Sequence, residues 1–347
     1  MNPFDVYDIT IIGGGPAGLF GLYYAGLRAA RAKVIDSLPQ LGGQLAALYP
    51  EKNICDVAGF PKILAKDLVA NLEKQALQYE HKVCLSEKVV GLERVEEKLF
   101  RLRSEKDEHL TRTVVIAAGM GAFMPRKLDI QDAQRLEGRG LFYVVKNVDS
   151  FRGKDVLIVG GGNTAVDWAL ALEEVAHRVT LIHLMKNFNA HEDSVRKLFR
   201  SKVTVKTFNE LKAVHGEEHV EGATVLSSRD KTELRLDLDA IILNIGFLAN
   251  LGPIKEWGLE IEGNAIRVNE KMETCLPGVF AAGDIATHPG KIKLIATGAS
   301  EAAVAVNNAR NYLEPSSRVQ PPHTTTMKTP PGKDASLKVH APVKAKE

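Results

Sequence analysis

The chain has 347 residues, 45% of them hydrophobic, so it can bury a large core, and its length favours two domains or slightly more. Its 45 Lys and Arg residues nearly balance 43 Asp and Glu residues, and the formal net charge of +2 gives no general attraction to nucleic acid or to an acidic membrane. The three cysteines, Cys55, Cys84 and Cys275, are too few and too scattered for a disulfide framework, a zinc site or a redox C-x-x-C pair. We interpret them as reduced, buried thiols and predict no metal site.

No apolar stretch of the sequence approaches the ~18 residues that a membrane helix needs. Met1 leads into an apolar strand by Ile9 without a basic leader. These features predict a soluble, cytoplasmic protein whose partners include neither a membrane nor a nucleic acid.

The predicted elements begin with a buried strand at 8–12, a glycine-rich turn at 13–18, a helix over about 17–31 and a strand at 32–35. The same order returns as a strand at 155–159, glycines at 160–162, a helix over about 165–175 and a strand at 179–183. The chain therefore contains an internal repeat of a βαβ unit.

Two strands with glycine ends, at 113–119 and 240–246, bracket the second repeat and are typical of crossings between domains. We predict an α/β fold with two Rossmann-like dinucleotide-binding domains of the three-layer ββα sandwich type, the second inserted into the first. The first domain is discontinuous, and the predicted ranges are 1–119 plus 244–315 for the first domain, 120–243 for the second, and 316–347 for a C-terminal tail. The tail is set apart by its Pro, Thr, Lys and Ser content.

The first glycine turn satisfies G-x-G-x-x-G between a strand and a helix, and an acid closes the second strand about 20 residues further on. The glycines let the backbone approach a pyrophosphate, the helix N-terminus supplies amide donors and its dipole, and the acid can accept both ribose hydroxyls of an adenosine. The alternative is a turn that only packs a helix on a strand. The candidate cofactor-binding residues are Gly13, Gly15, Pro16, Ala17, Gly18 and Asp36.

The second turn keeps Gly160 and Gly162 and has Ala165 in the third place, so it still admits a pyrophosphate. No acid follows its second strand to accept a free ribose diol, and no arginine follows to clamp a 2′-phosphate. Lys186 is the only cation nearby in the sequence. Close packing of a helix on a strand is again the alternative to a binding role, and the candidate cofactor-binding residues are Gly160, Gly162, Asn163 and Lys186.

With the glycine turns, further stretches resemble the thioredoxin reductase-like flavoproteins of the class II pyridine nucleotide-disulfide oxidoreductase superfamily, and among them the bacterial ferredoxin:NADP reductase branch. The resemblance covers residues 8 to about 326. It implies FAD in the first domain and NAD(P)H in the insert. The stretches that carry it are Gln40–Lys52 with Asp56–Pro61, Tyr143–Asp149, Met272–Asp284 and, at the C-terminal end, Gly290–Gly298, Ala305–Leu313 and Arg318–Thr324.

The resemblance also implies roles at the flavin. Asp284 closes the family's second FAD signature and would bind a ribityl hydroxyl. Tyr49 would stack on one face of the isoalloxazine ring, where an aromatic ring packs without adding a reactive group. The other residues that would touch FAD are Gln44, Val89 and Phe123.

The tail crosses to the other subunit in the resembled family, which implies a homodimer. His323 would cover the second flavin face, and Thr324 or Thr325 would reach FAD, so the tail would partly cover the flavin. We predict Tyr49 and His323 as the catalytic residues, because they would tune the flavin although no protein acid or base need act.

Tyr143–Asp149 lies where a thioredoxin reductase carries its C-x-x-C and contains no cysteine, so electrons cannot leave by dithiol exchange. The sequence also departs from the family at the second turn. Leu184, Met185 and Asn189 stand where the family has arginines that hold the 2′-phosphate. The preference between NADPH and NADH is therefore open.

We expect FAD and NADP(H) as cofactors, with NAD(H) as the alternative, and ferredoxin or flavodoxin as the partner. Hydride transfer to the flavin would precede single-electron transfer, or follow it in the reverse direction, with the insert rotating to align the nicotinamide. The alternatives are an NADH-dependent flavin, iron or quinone reductase (a diaphorase) and a non-catalytic FAD redox sensor. Candidates for a local basic patch toward an acidic partner are Lys62, Lys66, Lys291 and Lys293.

Overall fold

The computed structural model describes residues 6–130, 132–321 and 323–326, without the side chains of 122–124 and 247–249. The chain folds into two compact units, of which the first comprises Met1–Ala122 and Asn250–Glu347 and the second is Phe123–Ala249. These limits differ by a few residues from the predicted domain boundaries. The reason is that strands β9 (Ala122–Pro125) and β18 (Phe247–Asn250) pair with each other at the two crossings.

The first unit is built on a seven-stranded sheet. Its strands are β1 Val6–Ile12, β2 Ala32–Ile35, β5 Lys82–Cys84, β6 Val89–Glu96, β7 Leu99–Ser104, β8 Glu108–Ile116 and β21 Val279–Ala281. The order is β5-β2-β1-β8-β7-β6, and β21 also pairs with β8. Strands β5, β2, β1, β8 and β21 run parallel to one another, whereas β7 is antiparallel to β8 and β6 is antiparallel to β7. The C-terminal halves of the central strands β1, β2 and β8 are rich in β-branched residues and buried on both faces, as such sheets require.

Four helices cover this sheet and the loops beside it: α1 Pro16–Leu27, α2 Gly43–Leu48, α3 Ala65–Ala76 and α6 Ile295–Leu313. Gly21 lets α1 approach α6, since a Cβ there would lie 3.5 Å from the Ala302 Cβ. Helix α1 ends before the predicted limit because Ala29 takes a φ of +49°. Short pairs complete the unit: β3 Asn53–Ile54 with β4 Ile63–Leu64, and β19 Ile261–Glu262 with β20 Ala265–Arg267 and β22 Ala286–Thr287.

The second unit holds a five-stranded parallel sheet in the order β10-β17-β11-β12-β13, with ranges Leu141–Phe142, Ala240–Leu243, Asp155–Val159, Arg178–His183 and Thr204–Thr207. Its helices are α4 Asn163–Leu172 and α5 Glu192–Leu198. An antiparallel sheet adds β14 Asn209–His215, β15 Gly222–Ser227 and β16 Glu233–Asp237. The sequence-predicted βαβ repeat is therefore present as β1-α1-β2 and β11-α4-β12, each with its parallel pair.

Short 3-10 helices lie at Val148–Phe151, Gly252–Glu256, Gly283–Ile285 and Thr324–Thr326. None of the helices in the described part is long and apolar enough to cross a bilayer. All three cysteines are free, but only Cys84 is buried. The expectation of buried thiols is wrong for Cys55 and Cys275, because both lie in exposed segments between strands.

Candidate functional site

The first glycine turn joins β1 to α1 with no room for a side chain at Gly13 or Gly18. Gly13 has a φ of +107°, and a Cβ there would overlap the Ala117 carbonyl of the neighbouring segment. A Cβ at Gly18 would overlap the Gly13 carbonyl oxygen. The turn therefore packs closely against the C-terminal end of the sheet and the first turn of α1, as a dinucleotide-binding turn requires.

The N-terminus of α1 is open toward the turn. Gly15 is the N-cap residue with a φ of −73°, Pro16 follows at the first helical position, and no side chain caps the helix. A Cβ at Gly15 would meet only the Gly43 Cα, at 3.8 Å. Uncapped amides and space at a helix N-terminus suit an anionic diphosphate, so these residues fit a dinucleotide.

Asp36 follows β2 and lies against the same turn. Its Oδ2 accepts the Gly14 N–H at 2.5 Å and its Oδ1 accepts the Leu38 N–H at 2.8 Å. Burial raises the pKa of Asp36, while these two backbone hydrogen bonds act in the opposite direction. Each carboxylate oxygen keeps a further lone pair, so the fixed Asp36 can still accept ribose hydroxyls.

The Gly283–Asp284 turn is distant in sequence from the first glycine turn but packs against it. A Cβ at Gly283 would lie 3.1 Å from the Ala17 Cβ, and one at Gly298 would lie 3.2 Å from the Gly283 Cα. The start of α1, the turn bearing Asp284 and the first turn of α6 therefore meet at one place. This is the convergence that the two FAD signatures imply.

Gly42 and Gly43, which had no assigned role in the sequence motif, allow the segment Gln40–Tyr49 to pack closely against this site. The Gly42 N–H donates to the Gly14 carbonyl at 2.8 Å. Gly43 has a φ of +56°, and a Cβ there would lie 2.9 Å from the Gly15 Cα. Gln44, next in sequence, has its Nε2 3.3 Å from where a Cβ of Gly119 would be.

Tyr49 is the C-cap residue of α2 and packs, partly buried, against the cluster formed by Leu45, Ala65, Leu68 and Val69. Burial raises the pKa of Tyr49 to about 12, and the negative charges of Asp284 and Asp56 add to the shift. The structure thus brings Tyr49, Asp284 and the first glycine turn into one neighbourhood. The Tyr49 hydroxyl stays protonated, and its ring adds no charge there.

The remaining predicted flavin residues are placed differently. Val89 begins β6 and is buried in the core of the first unit. The Phe123 side chain lies outside the described residues. His323, Thr324 and Thr325 are exposed within this chain.

Arg28 attaches the start of the tail to the first unit. Its guanidinium donates to the Arg318 carbonyl at 2.7 Å and the Val319 carbonyl at 3.2 Å. The same group donates to the Asn307 Oδ1 of α6 at 2.8 Å. These bonds fix the path of the chain just ahead of His323, and no sequence motif had indicated Arg28.

In the second unit, the glycine turn again has no room for side chains at its first two positions. A Cβ at Gly160, whose φ is +151°, would overlap the Asn244 carbonyl, and one at Gly161 would overlap the His183 ring. Gly162 is the N-cap of α4, and no side chain caps that helix. The second helix N-terminus is therefore also open to an anion.

A cavity of 540 Å³ lies over this turn at the C-terminal edge of the five-stranded sheet. It is lined by Leu128, Val159, Gly160, Gly161, Gly162, Asn163, Thr164, Ile182, His183, Leu184, Met185, Asn189, Asn209, Glu210, Leu211, Asn244, Ile245 and Gly246. The Asn244 Oδ1 is buried and has no hydrogen-bond partner among the described groups. An orphaned acceptor in a cavity over a glycine turn fits a polar ligand such as a nucleotide.

The described residues that line this cavity include neither lysine nor arginine. Glu210 is among these lining residues. Leu184 and Met185 are 49% and 62% exposed. Lys186 is exposed and lies outside the lining set. The Asn163 Oδ1 accepts the His191 N–H at 2.8 Å, so its side chain holds the loop after β12.

The candidate lysines of a basic patch do not share one environment. The Lys291 side chain is only 6% exposed and pairs with Glu301, so its assignment to a surface patch is wrong: its ammonium group is turned into the protein. Lys66 pairs with Glu51 at 2.9 Å. Lys62 and Lys293 are exposed.

Two turns of dinucleotide-binding type, each at the C-terminal edge of a parallel sheet, define a protein that binds two dinucleotides. A family model described as pyridine nucleotide-disulphide oxidoreductase matches residues 7–309, and the chain belongs to this family. The predicted oxidoreductase class, the α/β fold, and FAD with a pyridine nucleotide as cofactors are thereby confirmed.

Curated relatives match nearly the whole chain. A ferredoxin–NADP reductase of Geobacillus kaustophilus is 51% identical over 325 residues, 93% of this chain and 98% of the relative. A protein of the same name from Halalkalibacterium halodurans is 50% identical over 324 residues, again 93% and 98% of the two chains. The resemblance found in the sequence motifs is therefore confirmed.

Solved structures of thioredoxin reductases share the fold. The T. acidophilum enzyme superposes with a TM-score of 0.78 at 22% identity, covering 90% of this chain and 100% of that one. The Lactococcus lactis enzyme gives 0.76 at 23% identity, with 88% and 99% covered. At such identity the likeness concerns the fold alone.

Proposed function

We propose that this protein is a flavoprotein that moves electrons between NADP(H) and ferredoxin or flavodoxin. The observation that carries the proposal is the presence of two uncapped dinucleotide-type turns on a chain whose three cysteines are all free. Cys55, Cys84 and Cys275 lie far apart in the sequence, so the chain has no C-x-x-C pair for dithiol exchange, and single-electron transfer to a protein partner takes the place of that exit. The names of the relatives at 51% and 50% identity support the same partner.

In this proposal the first unit holds FAD. FAD, when bound, supplies the chemistry of accepting a hydride from nicotinamide and releasing electrons singly. The first glycine turn and the N-terminus of α1 hold the diphosphate, Asp36 the adenosine ribose and Asp284 the ribityl chain. Tyr49 offers a neutral ring face, since its hydroxyl keeps its proton far above neutral pH.

The second unit holds the pyridine nucleotide over its own glycine turn. The open N-terminus of α4 would receive the diphosphate, and the unpaired Asn244 Oδ1 would accept a hydrogen bond from the bound nucleotide. His183 lies against Gly161 and closes one side of the cavity. These residues bind and orient the nucleotide, and none is required as an acid or base.

We further propose a cytoplasmic homodimer in which the tail of each chain completes the flavin site of the other. The exposure of His323, Thr324 and Thr325 within a single chain supports this arrangement. Arg28 would hold the start of the tail on its own first unit. Three free thiols suit a reducing compartment.

The test is anaerobic reduction of cytochrome c by the FAD-loaded protein, with NADPH as donor, measured with and without added bacterial ferredoxin. A large ferredoxin-dependent rate supports the proposal, and a rate that ferredoxin does not change contradicts it. A flavin absorbance that neither NADPH nor NADH bleaches would remove both enzyme proposals and leave a redox sensor.

A second candidate, an NADH-dependent flavin, iron or quinone reductase, is favoured by the cavity in the second unit. A 2′-phosphate needs cationic donors, whereas this lining set offers no Lys or Arg and includes Glu210. A carboxylate there repels a phosphate and accepts a ribose hydroxyl. A kcat/KM for NADH above that for NADPH, with no dependence on ferredoxin, would establish this candidate in place of the first.

A further inference from the structure

A buried ion pair lies beside the Gly283–Asp284 turn, outside both glycine motifs. The Lys291 Nζ lies 2.6 Å from Oε1 and 2.5 Å from Oε2 of Glu301. The two side chains are 6% and 9% exposed. Lys291 precedes α6 and Glu301 lies within it, so the pair ties a loop to a long helix. His288 adds a third group, with its Nε2 3.2 Å from the Glu301 Oε1.

Both charged groups also bind the backbone of one residue. The Gly283 N–H donates to the Glu301 Oε2 at 2.8 Å, and the Lys291 Nζ donates to the Gly283 carbonyl at 2.9 Å. The N–H and the C=O of Gly283 are therefore each held by a charged partner. Such charge-assisted bonds are stronger than neutral ones. Asp284, the next residue, has its backbone position set by this arrangement.

Stability alone is a poor explanation for the pair. Taking two charges out of water costs free energy that their attraction only partly offsets, and apolar replacements of similar volume are often as stable. Gly283, in contrast, has a φ of +78° in a flexible glycine backbone and lies close to Ala17, so the path of the turn depends on the groups that bind its N–H and C=O. The ion pair of Lys291 and Glu301 therefore acts mainly by fixing the orientation of this turn.

We propose that Lys291 and Glu301 are positioning residues that fix the Gly283 backbone and so aim the Asp284 carboxylate at the ribityl chain of FAD. The inference rests on the proposed FAD site in the first unit. Neither side chain need touch FAD itself. Loss of either partner releases the turn, and FAD then dissociates faster.

Four variants of the full-length holoprotein test this role. Lys291→Met and Glu301→Gln each remove one charge, and the double variant Lys291→Met/Glu301→Leu replaces the pair by apolar side chains. Lys293→Met is the matched control, because Lys293 is exposed and lies in the same loop. FAD release is followed as the rise of flavin fluorescence on dilution, and thermal unfolding is followed by tryptophan emission.

We expect both single variants to release FAD about ten- to hundredfold faster than the wild type, the range expected for losing a charge-assisted hydrogen bond. The double variant should unfold at a higher midpoint than either single variant, because it buries no unpaired charge, and still release FAD as fast as they do, a combination that a purely structural role does not produce. The control should match the wild type in both measurements.

If the double variant released FAD at the wild-type rate, the positioning role would be overturned. The role would also be overturned if, in both single variants and the double variant, the FAD release rate rose only in proportion to the loss of unfolding stability. The pair would then act through folding alone. A wild-type protein that retains no FAD would instead refute the proposed flavin site, and this is seen before any variant is made.

Discussion

Replacing Gly18 by alanine places a methyl group inside the backbone of the first glycine turn. A Cβ built at Gly18 lies 1.8 Å from the Gly13 carbonyl oxygen and 3.0 Å from the carbonyl carbon. Gly13 cannot give way easily, since its N–H donates to the Ile35 carbonyl at 2.8 Å and its φ of +107° suits only glycine. Helix α1 must therefore move away from β1. Overpacking of a side chain costs about 1–3 kcal/mol, and a backbone clash lies at or above the upper end, so we expect a loss of about 3 kcal/mol or more.

Urea unfolding followed through Trp257, which is buried in the first unit, measures this loss. A Trp168→Phe background removes the second tryptophan, which is buried in α4 of the second unit. Gly15→Ala is the matched control, because its φ of −73° suits alanine and its Cβ would meet only Gly43, at 3.8 Å. The control should unfold within about 1 kcal/mol of the wild type yet lose FAD affinity, since its methyl group occupies the space at the helix N-terminus. A Gly18→Ala protein that unfolds at the wild-type urea concentration would refute the close approach of α1 to β1.

Three further predictions concern pH and the second unit. Burial lowers the pKa of His81 from 6.5 to about 4, so neutral His81 contributes its full share of folding stability above pH 6.5, and this share is lost as the pH falls toward 4. The free energy of unfolding in urea should fall by roughly 2–3 kcal/mol between these pH values, and His81→Phe should remove this dependence. Gly161→Ala displaces the His183 ring and should weaken binding of the pyridine nucleotide about tenfold in titrations while FAD content stays constant. Met185→Arg should raise the kcat/KM ratio of NADPH to NADH by about tenfold or more, and Met185→Gln, its neutral control, should not; equal ratios would show that Met185 does not face the 2′ position.

The elements around the glycine turns could be predicted because their information is local. Buried β-branched runs, glycines at fixed spacing and helix starts are read within a few residues of each other. Helix ends were less certain, and α1 stops early because of the left-handed Ala29, which no simple pattern marks. The glycines at 42 and 43 belonged to a quoted motif, but their contact with Gly14 and Gly15 depends on two segments meeting in space.

Side-chain environments were the least predictable part of the candidate site. Lys291 and Lys293 are two residues apart, yet one is buried in an ion pair and the other is exposed. Their difference depends on Glu301 in α6 and on the Gly283 backbone, neither of which is adjacent in sequence. Asn244 and Glu210 likewise become cavity residues only through the packing of β17 and β14 at the sheet edge.

The sequence by itself determined that the chain carries two glycine turns of dinucleotide type, an acid at 36 after the first, no acid or arginine after the second, and no paired cysteines. These are properties of residue type and spacing, which strands and helices express without help from distant segments. The tertiary structure alone decided that the turn bearing Asp284 meets Ala17 and Gly298, that Tyr49 lies near Asp284, and that a buried lysine and glutamate hold Gly283. Burial and charge pairing act between residues far apart in the chain, so they are fixed only when the folded backbone brings those residues together.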